Sequence, residues 1–194
     1  MCIRDSHTLH GGHASIGKQQ WNIAELNVDK VIFAINLADG HMGFPGNMHI
    51  ELEWQVKADD TISATLRAHT DAATVCNLAQ HSYFNLTGMP DMNGHKLKVA
   101  AEHYLPVDNE FIPTGEVLSV NDTGFDFRKA VPLPAQQLLN HNFCLSTDRQ
   151  PLRPVAWLSA EKVGLTLELR TTEPGLQLYD CLLYTSDAAD DRVS

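Results

Sequence analysis

Apolar residues recur at every second position in four stretches of this chain, a period that leaves β-strands as the simplest local structure. Val31, Phe33, Ile35 and Leu37 make the first run, and Met48, Ile50, Leu52, Trp54 and Val56 make the second, with His49, Glu51, Glu53 and Gln55 between them. Ile62, Ala64, Leu66 and Ala68 alternate with Thr61, Ser63, Thr65 and Arg67. Val163, Leu165, Leu167 and Leu169 do the same against Thr166, Glu168 and Arg170. Successive strand side chains point to opposite faces, so each apolar set is expected on one buried face.

Turn chemistry separates the runs. Asp39-Gly40, Phe44-Pro45-Gly46-Asn47, Asp59-Asp60, Thr87-Gly88-Met89-Pro90 and Pro113-Thr114-Gly115 all fall between apolar segments. Short strands joined by polar turns imply an all-β fold, a β-sandwich or barrel. One short helical candidate, Ala135 to Leu139 after Pro134, does not change that class.

Charge and cysteine spacing narrow the partners and the setting. A formal charge of −10, with 14 Lys and Arg scattered along 194 residues, argues against nucleic acid and anionic membrane surfaces, both of which require clustered cations. No apolar run approaches the ~20 residues of a membrane helix. Cysteines at 2, 76, 144 and 181 form no C-x-x-C pair, so neither a zinc knuckle nor a dense disulfide framework is expected. A reduced, cytoplasmic setting follows, and Met1 to Ser6 lack the apolar core of a secretory signal. Cys76 reads as a small buried residue rather than a nucleophile.

The segment His81-Ser82-Tyr83-Phe84-Asn85-Leu86 places an imidazole in an aromatic, strand-like run. Alone, such a histidine reads as a hydrogen-bonded structural residue or as a proton donor. His10 precedes Gly11 and Gly12, which carry no Cβ and so admit a ligand close to the backbone. His7, His10 and His13 lie on no helical pattern, and no metal site is expected. Tyr83, Phe84 and Phe44 are candidates to pack against a ligand, although aromatics at strand spacing also serve as core.

These segments occur in a definite order: His10-Gly11-Gly12 with Trp21 downstream, the loop from Asp39 to Asn47, His81 to Leu86, and Tyr104-Leu105-Pro106-Val107-Asp108. Ile112 to Glu116, Thr123-Gly124-Phe125-Asp126-Phe127-Arg128, and Thr171 to Tyr179 follow. In this order and spacing the chain from His7 to Tyr179 resembles the aldose 1-epimerase, or galactose mutarotase, family. The resemblance implies a large antiparallel β-sandwich of galactose mutarotase-like type, incomplete at both ends. It also implies a small-molecule aldohexose as partner and interconversion of its α and β anomers with no cofactor.

By resemblance His81 is the acid that protonates the ring oxygen, a role that suits an imidazole whose ordinary pKa of about 6.5 makes both protonation states available near neutrality. His10 matches a histidine that hydrogen-bonds the sugar, and Gln177 a glutamine that contacts the ring. Asn140, in Leu139-Asn140-His141-Asn142-Phe143, stands where the family has a sugar-binding aspartate. It keeps an acceptor and loses a charge. Ser15-Ile16-Gly17 before Lys18 also departs from the family's Gly-Phe-Asp-Lys.

The family's N-terminal strands and its catalytic glutamate have no counterpart that can be assigned here. Glu173 fits a strand turn and Glu116 the Pro-Thr-Gly-Glu turn. Residues 1–6 and 181–194 resemble translated adapter read-through, leaving a partial domain over 7–180. The chain as given is therefore expected to be inactive and poorly soluble, with unpaired sheet edges. The competing readings are a non-catalytic carbohydrate-binding β-sandwich and a hexose-6-phosphate 1-epimerase-like protein. The latter should carry a basic cluster for the phosphate, and none is evident.

Overall fold

The computed structural model describes residue 8, residues 10–133 and residues 139–180. The helical candidate falls, apart from Leu139, outside the described residues, as do His7 and the segments 1–6 and 181–194. The described chain divides into two units, the first ending at Ser82 and the second beginning at Tyr83.

In the first unit four strands pair antiparallel in chain order: β1 (Asn22–Leu26), β2 (Lys30–Leu37), β3 (Met48–Val56) and β4 (Ile62–Thr70). The register follows the alternation. Phe33, Leu52 and Leu66 form one cross-strand row, and Asn36, His49 and His69 form another on the opposite face. The β2–β3 connection satisfies its own polar groups. Gly46 N donates to Asp39 Oδ1 at 2.6 Å, and Asn47 donates through its backbone N and its Nδ2 to the Asp71 carboxylate at 2.7 Å each.

Burial in this sheet is thinner than the alternation predicts. Ile35 and Ile50 are its buried strand residues, whereas Ile23, Leu26, Val56 and Ile62 are exposed. Period two fixes which face a side chain takes but not how much of that face is covered, and the exposed residues lie on the edge strands or at strand ends.

The second unit is a two-sheet antiparallel sandwich. One sheet has the order β11 (Leu165–Thr171), β10 (Arg153–Ala160), β5 (Lys96–Val99), β8 (Val131–Pro132). The other has β12 (Gly175–Tyr179), β9 (Asn140–Cys144), β6 (His103–Leu105), β7 (Leu118–Ser119). Leu97, Val99, Val155 and Ala156 from the first sheet share a core with Tyr104 and Phe143 from the second. Phe125 and Phe127 enter from the connecting loop, and Phe127 meets Phe143 in a T-shaped contact with centroids 5.8 Å apart. Fully burying such a side chain contributes about 1.5–3 kcal/mol.

Arg128 holds that loop in place. Its guanidinium donates to Asp126 Oδ1 and Oδ2, Glu102 Oε2 and Asn121 Oδ1 at 2.6–2.8 Å. The pairing pulls the Asp126 carboxyl down to about 2. The Thr123 to Arg128 motif is therefore structural: its phenylalanines fill the core and its charges brace the backbone between them.

The all-β antiparallel class predicted from the sequence is the class observed. Three local expectations are corrected. Residues 71–95 contain no strand, so His81 to Leu86 is irregular connection rather than strand. The Asn85 side chain takes over local bonding there, accepting from Thr87 N and Gly88 N and donating to Met89 O. Cys76, in the same strandless segment, is exposed rather than buried. Val163 lies in the turn before β11 and is half exposed.

Candidate functional site

The first unit carries both sequence-predicted histidines. His10, Gly11 and Gly12 all adopt positive φ, at 54°, 79° and 94°. At Gly12 the left-handed backbone favours glycine, and a Cβ there would lie 2.2 Å from Met42 Cε and push that methyl aside. A short 3₁₀ turn, Ile16–Lys18, follows. The Trp21 indole donates to Ile16 O at 2.9 Å, and Gln19 Nε2 and His41 Nε2 both donate to Ala14 O at 2.9 Å. The Ser15-Ile16-Gly17 departure from the family pattern is thus compatible with an ordered loop below His10.

That loop brings His10 to His81. Their ring centroids are 5.1 Å apart with an interplanar angle of 65°, an edge-to-face contact. Both residues are exposed.

The second unit brings Asn140 to Gln177. Tyr179 on β12 pairs in register with Asn140 on β9, and Gln177 pairs with Asn142. Gln177 Nε2 donates diagonally to Asn140 Oδ1 at 2.9 Å. Tyr83 and Tyr179 stack obliquely beside them, with centroids 6.0 Å apart. Strand alternation puts His141 and Phe143 on the other face, where His141 meets Phe125 at 4.4 Å between centroids and burial pushes its pKa down. Phe44 is half-buried and Phe84 exposed.

One histidine escaped sequence reasoning. His95 is 1% exposed; its Nε2 accepts from Leu86 N at 2.9 Å and its Nδ1 donates to Met92 O at 3.1 Å. The acceptor role of Nε2 assigns the neutral Nδ1–H tautomer. This imidazole anchors the end of the segment that begins at His81, by way of the backbone. A lone histidine after Asn93-Gly94 gives no sequence signal for such a role.

The two carboxylates set aside at the sequence level are already engaged. Glu173 Oε1 accepts from Arg149 Nε at 2.9 Å and Nη2 at 2.5 Å, which lowers its pKa, and Glu116 Oε2 accepts from Thr114 Oγ1 at 3.2 Å. Among the described residues no group of three or more His, Cys, Asp or Glu is placed to hold a metal ion. No helix among them is long and apolar enough to cross a membrane. A cavity of about 540 Å³ in the first unit is lined by Asn36, His49, His69 and Asp71, and none of the predicted site residues lines it.

Known proteins resemble this chain in both sequence and fold. A sequence model of aldose 1-epimerase matches residues 3–189. Aldose 1-epimerase of Escherichia coli K12 is 37% identical over 184 residues, covering 88% of this chain and 53% of that protein. Human galactose mutarotase is 36% identical, covering 91% and 53%. The chain therefore spans about half the length of the curated relatives it matches. Among solved structures, a GalM/aldose epimerase homologue from C. elegans has a TM-score of 0.82 at 29% identity, covering 89% of this chain and 55% of that one. Galactose 1-epimerase from Lactobacillus acidophilus NCFM has 0.69 at 26%, covering 81% and 50%. With a family model matching residues 3–189 and relatives 36–37% identical over most of its length, the chain belongs to the aldose 1-epimerase family.

Proposed function

We propose that this chain is part of an aldose 1-epimerase that interconverts the α and β anomers of a free aldohexose such as glucose or galactose. The observation that supports this most directly is the meeting of His10 and His81, far apart in sequence and in edge-to-face contact in the fold. In this reading a base takes the proton from the C1 hydroxyl, its electrons form the C1 carbonyl, and the bond from C1 to the ring oxygen breaks. His81 gives its proton to that oxygen. Rotation about C1–C2 and the reverse transfers close the other anomer.

His10 holds a sugar hydroxyl, and Asn140 and Gln177 bind hydroxyls through amide groups that both donate and accept. No carboxylate of this chain is assigned as the base. One positioned acid or base is worth ~10²- to 10⁴-fold, so the chain alone is proposed to leave mutarotation near its spontaneous rate. The free thiols of Cys76 and Cys144 support a reducing, cytoplasmic setting.

Two measurements test the reading. Galactose or glucose should perturb the NMR ring signals of His10 and His81, and silence at both under saturating sugar would overturn it. Polarimetry of freshly dissolved α-glucose should show no acceleration by the purified chain. Clear acceleration would place a working base within these 194 residues and refute the inactivity.

A further inference from the structure

We infer that Asn142 is a third sugar-binding carboxamide, beside Asn140 and Gln177, and that Gly175 is glycine in order to seat it. The inference rests on the sugar-binding reading above and extends it to a residue outside the predicted set.

Asn140 and Asn142 are two positions apart on β9 and so share a face, roughly 6.7 Å apart along the strand. Asn142 occupies the middle of a cross-strand row, with Leu105 of β6 on one side and Gln177 of β12 on the other. Its carboxamide leans over β12. A Cβ on Gly175 would lie 2.6 Å from Asn142 Oδ1, 3.2 Å from Nδ2 and 3.3 Å from Cγ. Contacts this short with all three amide atoms mean that any side chain at 175 displaces the group. No positive φ accounts for glycine here, which leaves the close approach as the reason for it.

The amide that this space admits is half-buried, and among the described residues it makes no hydrogen bond of its own. Gln177, directly across from it, spends its Nε2 on Asn140. Asn142 thus offers a carbonyl oxygen and an NH₂ group on the face that carries Asn140, Gln177 and Tyr179. A vicinal diol complements that set, because one hydroxyl can donate to the oxygen while its neighbour accepts from the nitrogen.

The ¹⁵N-labelled full chain, titrated with galactose and separately with glucose, tests the inference. The Asn142 side-chain NH₂ signals should shift and saturate together with those of Asn140 and Gln177. Asn142→Ala should weaken binding about fivefold, the value of one neutral hydrogen bond. Gly175→Ala should weaken it by a similar factor in the native background and by nothing further in the Asn142→Ala background, since both changes remove the same contact. Shifts at Asn140 and Gln177 with an unmoved Asn142 and unchanged affinity of Asn142→Ala would overturn this inference alone. Silence at all three amides would overturn it together with the sugar-binding reading.

Discussion

The imidazoles of His10 and His81 meet edge to face at 5.1 Å between ring centroids, and each therefore sits in the ring-current field of the other. His10→Ala should move the Cδ2–H and Cε1–H resonances of His81 while leaving those of His69 on β4 in place. Unchanged His81 resonances would mean that the two rings are apart in solution.

Asn140 accepts the amide of Gln177, and a carboxylate in its place would accept the same bond with charge assistance. Asn140→Asp should tighten aldohexose binding about fivefold, the ~1 kcal/mol by which a charged hydrogen bond exceeds a neutral one. Equal or weaker affinity, measured by the same NMR titration, would show that the lost charge is immaterial here.

Removing the His95 imidazole should strand the Leu86 amide and leave a cavity. Loss of a buried partner costs about 1–3 kcal/mol, and His95→Ala should lower stability by at least that much. Faster hydrogen exchange at the Leu86 amide, greater than the global loss explains, would separate its local role from a general one.

Phe143 is 1% exposed between the two sheets of the second unit, and Phe143→Ala should cost about 3–5 kcal/mol in urea unfolding followed by Tyr83–Tyr179 signals. Ile62→Ala, on the exposed edge strand β4, should fall within about 0.5 kcal/mol of the parent. Comparable losses would contradict the burial difference.

Burial lowers the pKa of His141 in the folded state, so the unfolded chain takes up its proton at higher pH than the folded one. Stability contributed by neutral His141 is therefore full above its ordinary value of about 6.5 and declines as pH falls below it. His141→Phe should flatten that step. Asp126, held down to about 2 by Arg128, works in a lower window: its contribution is present above about 3.8 and is lost as pH falls toward 2. Thermal melts from pH 7 to 2.5 should show the first step removed by His141→Phe and the second by Asp126→Asn.

The strands were legible because alternation is a local property that survives in sequence. β2, β3, β4 and β11 fall on the alternating runs, and the turns at Asp39-Gly40 and Asp59-Asp60 fall between them. Burial was not legible, because the cover over Ile62 or Val56 depends on distant packing. Residues 81–86 misled because aromatic content mimics a strand, while the decisive fact is that Leu86 N bonds to an imidazole nine positions away. His10 and Gln177 stand out in the sequence through their motifs. Asn142 carries no such signal, because its space comes from the absent side chain at 175 and shows only once β9 and β12 are paired.

The fit of Met42 against Gly12 has a consequence for the protein's working life. The thioether lies flush beneath the backbone that carries His10, close enough that a methyl group on residue 12 would collide with it. Oxidation of that sulfur by peroxide would place a polar oxygen on a half-buried side chain packed against Gly12. A chemical change at Met42 would thus be felt first at the Gly12 backbone, two residues from His10.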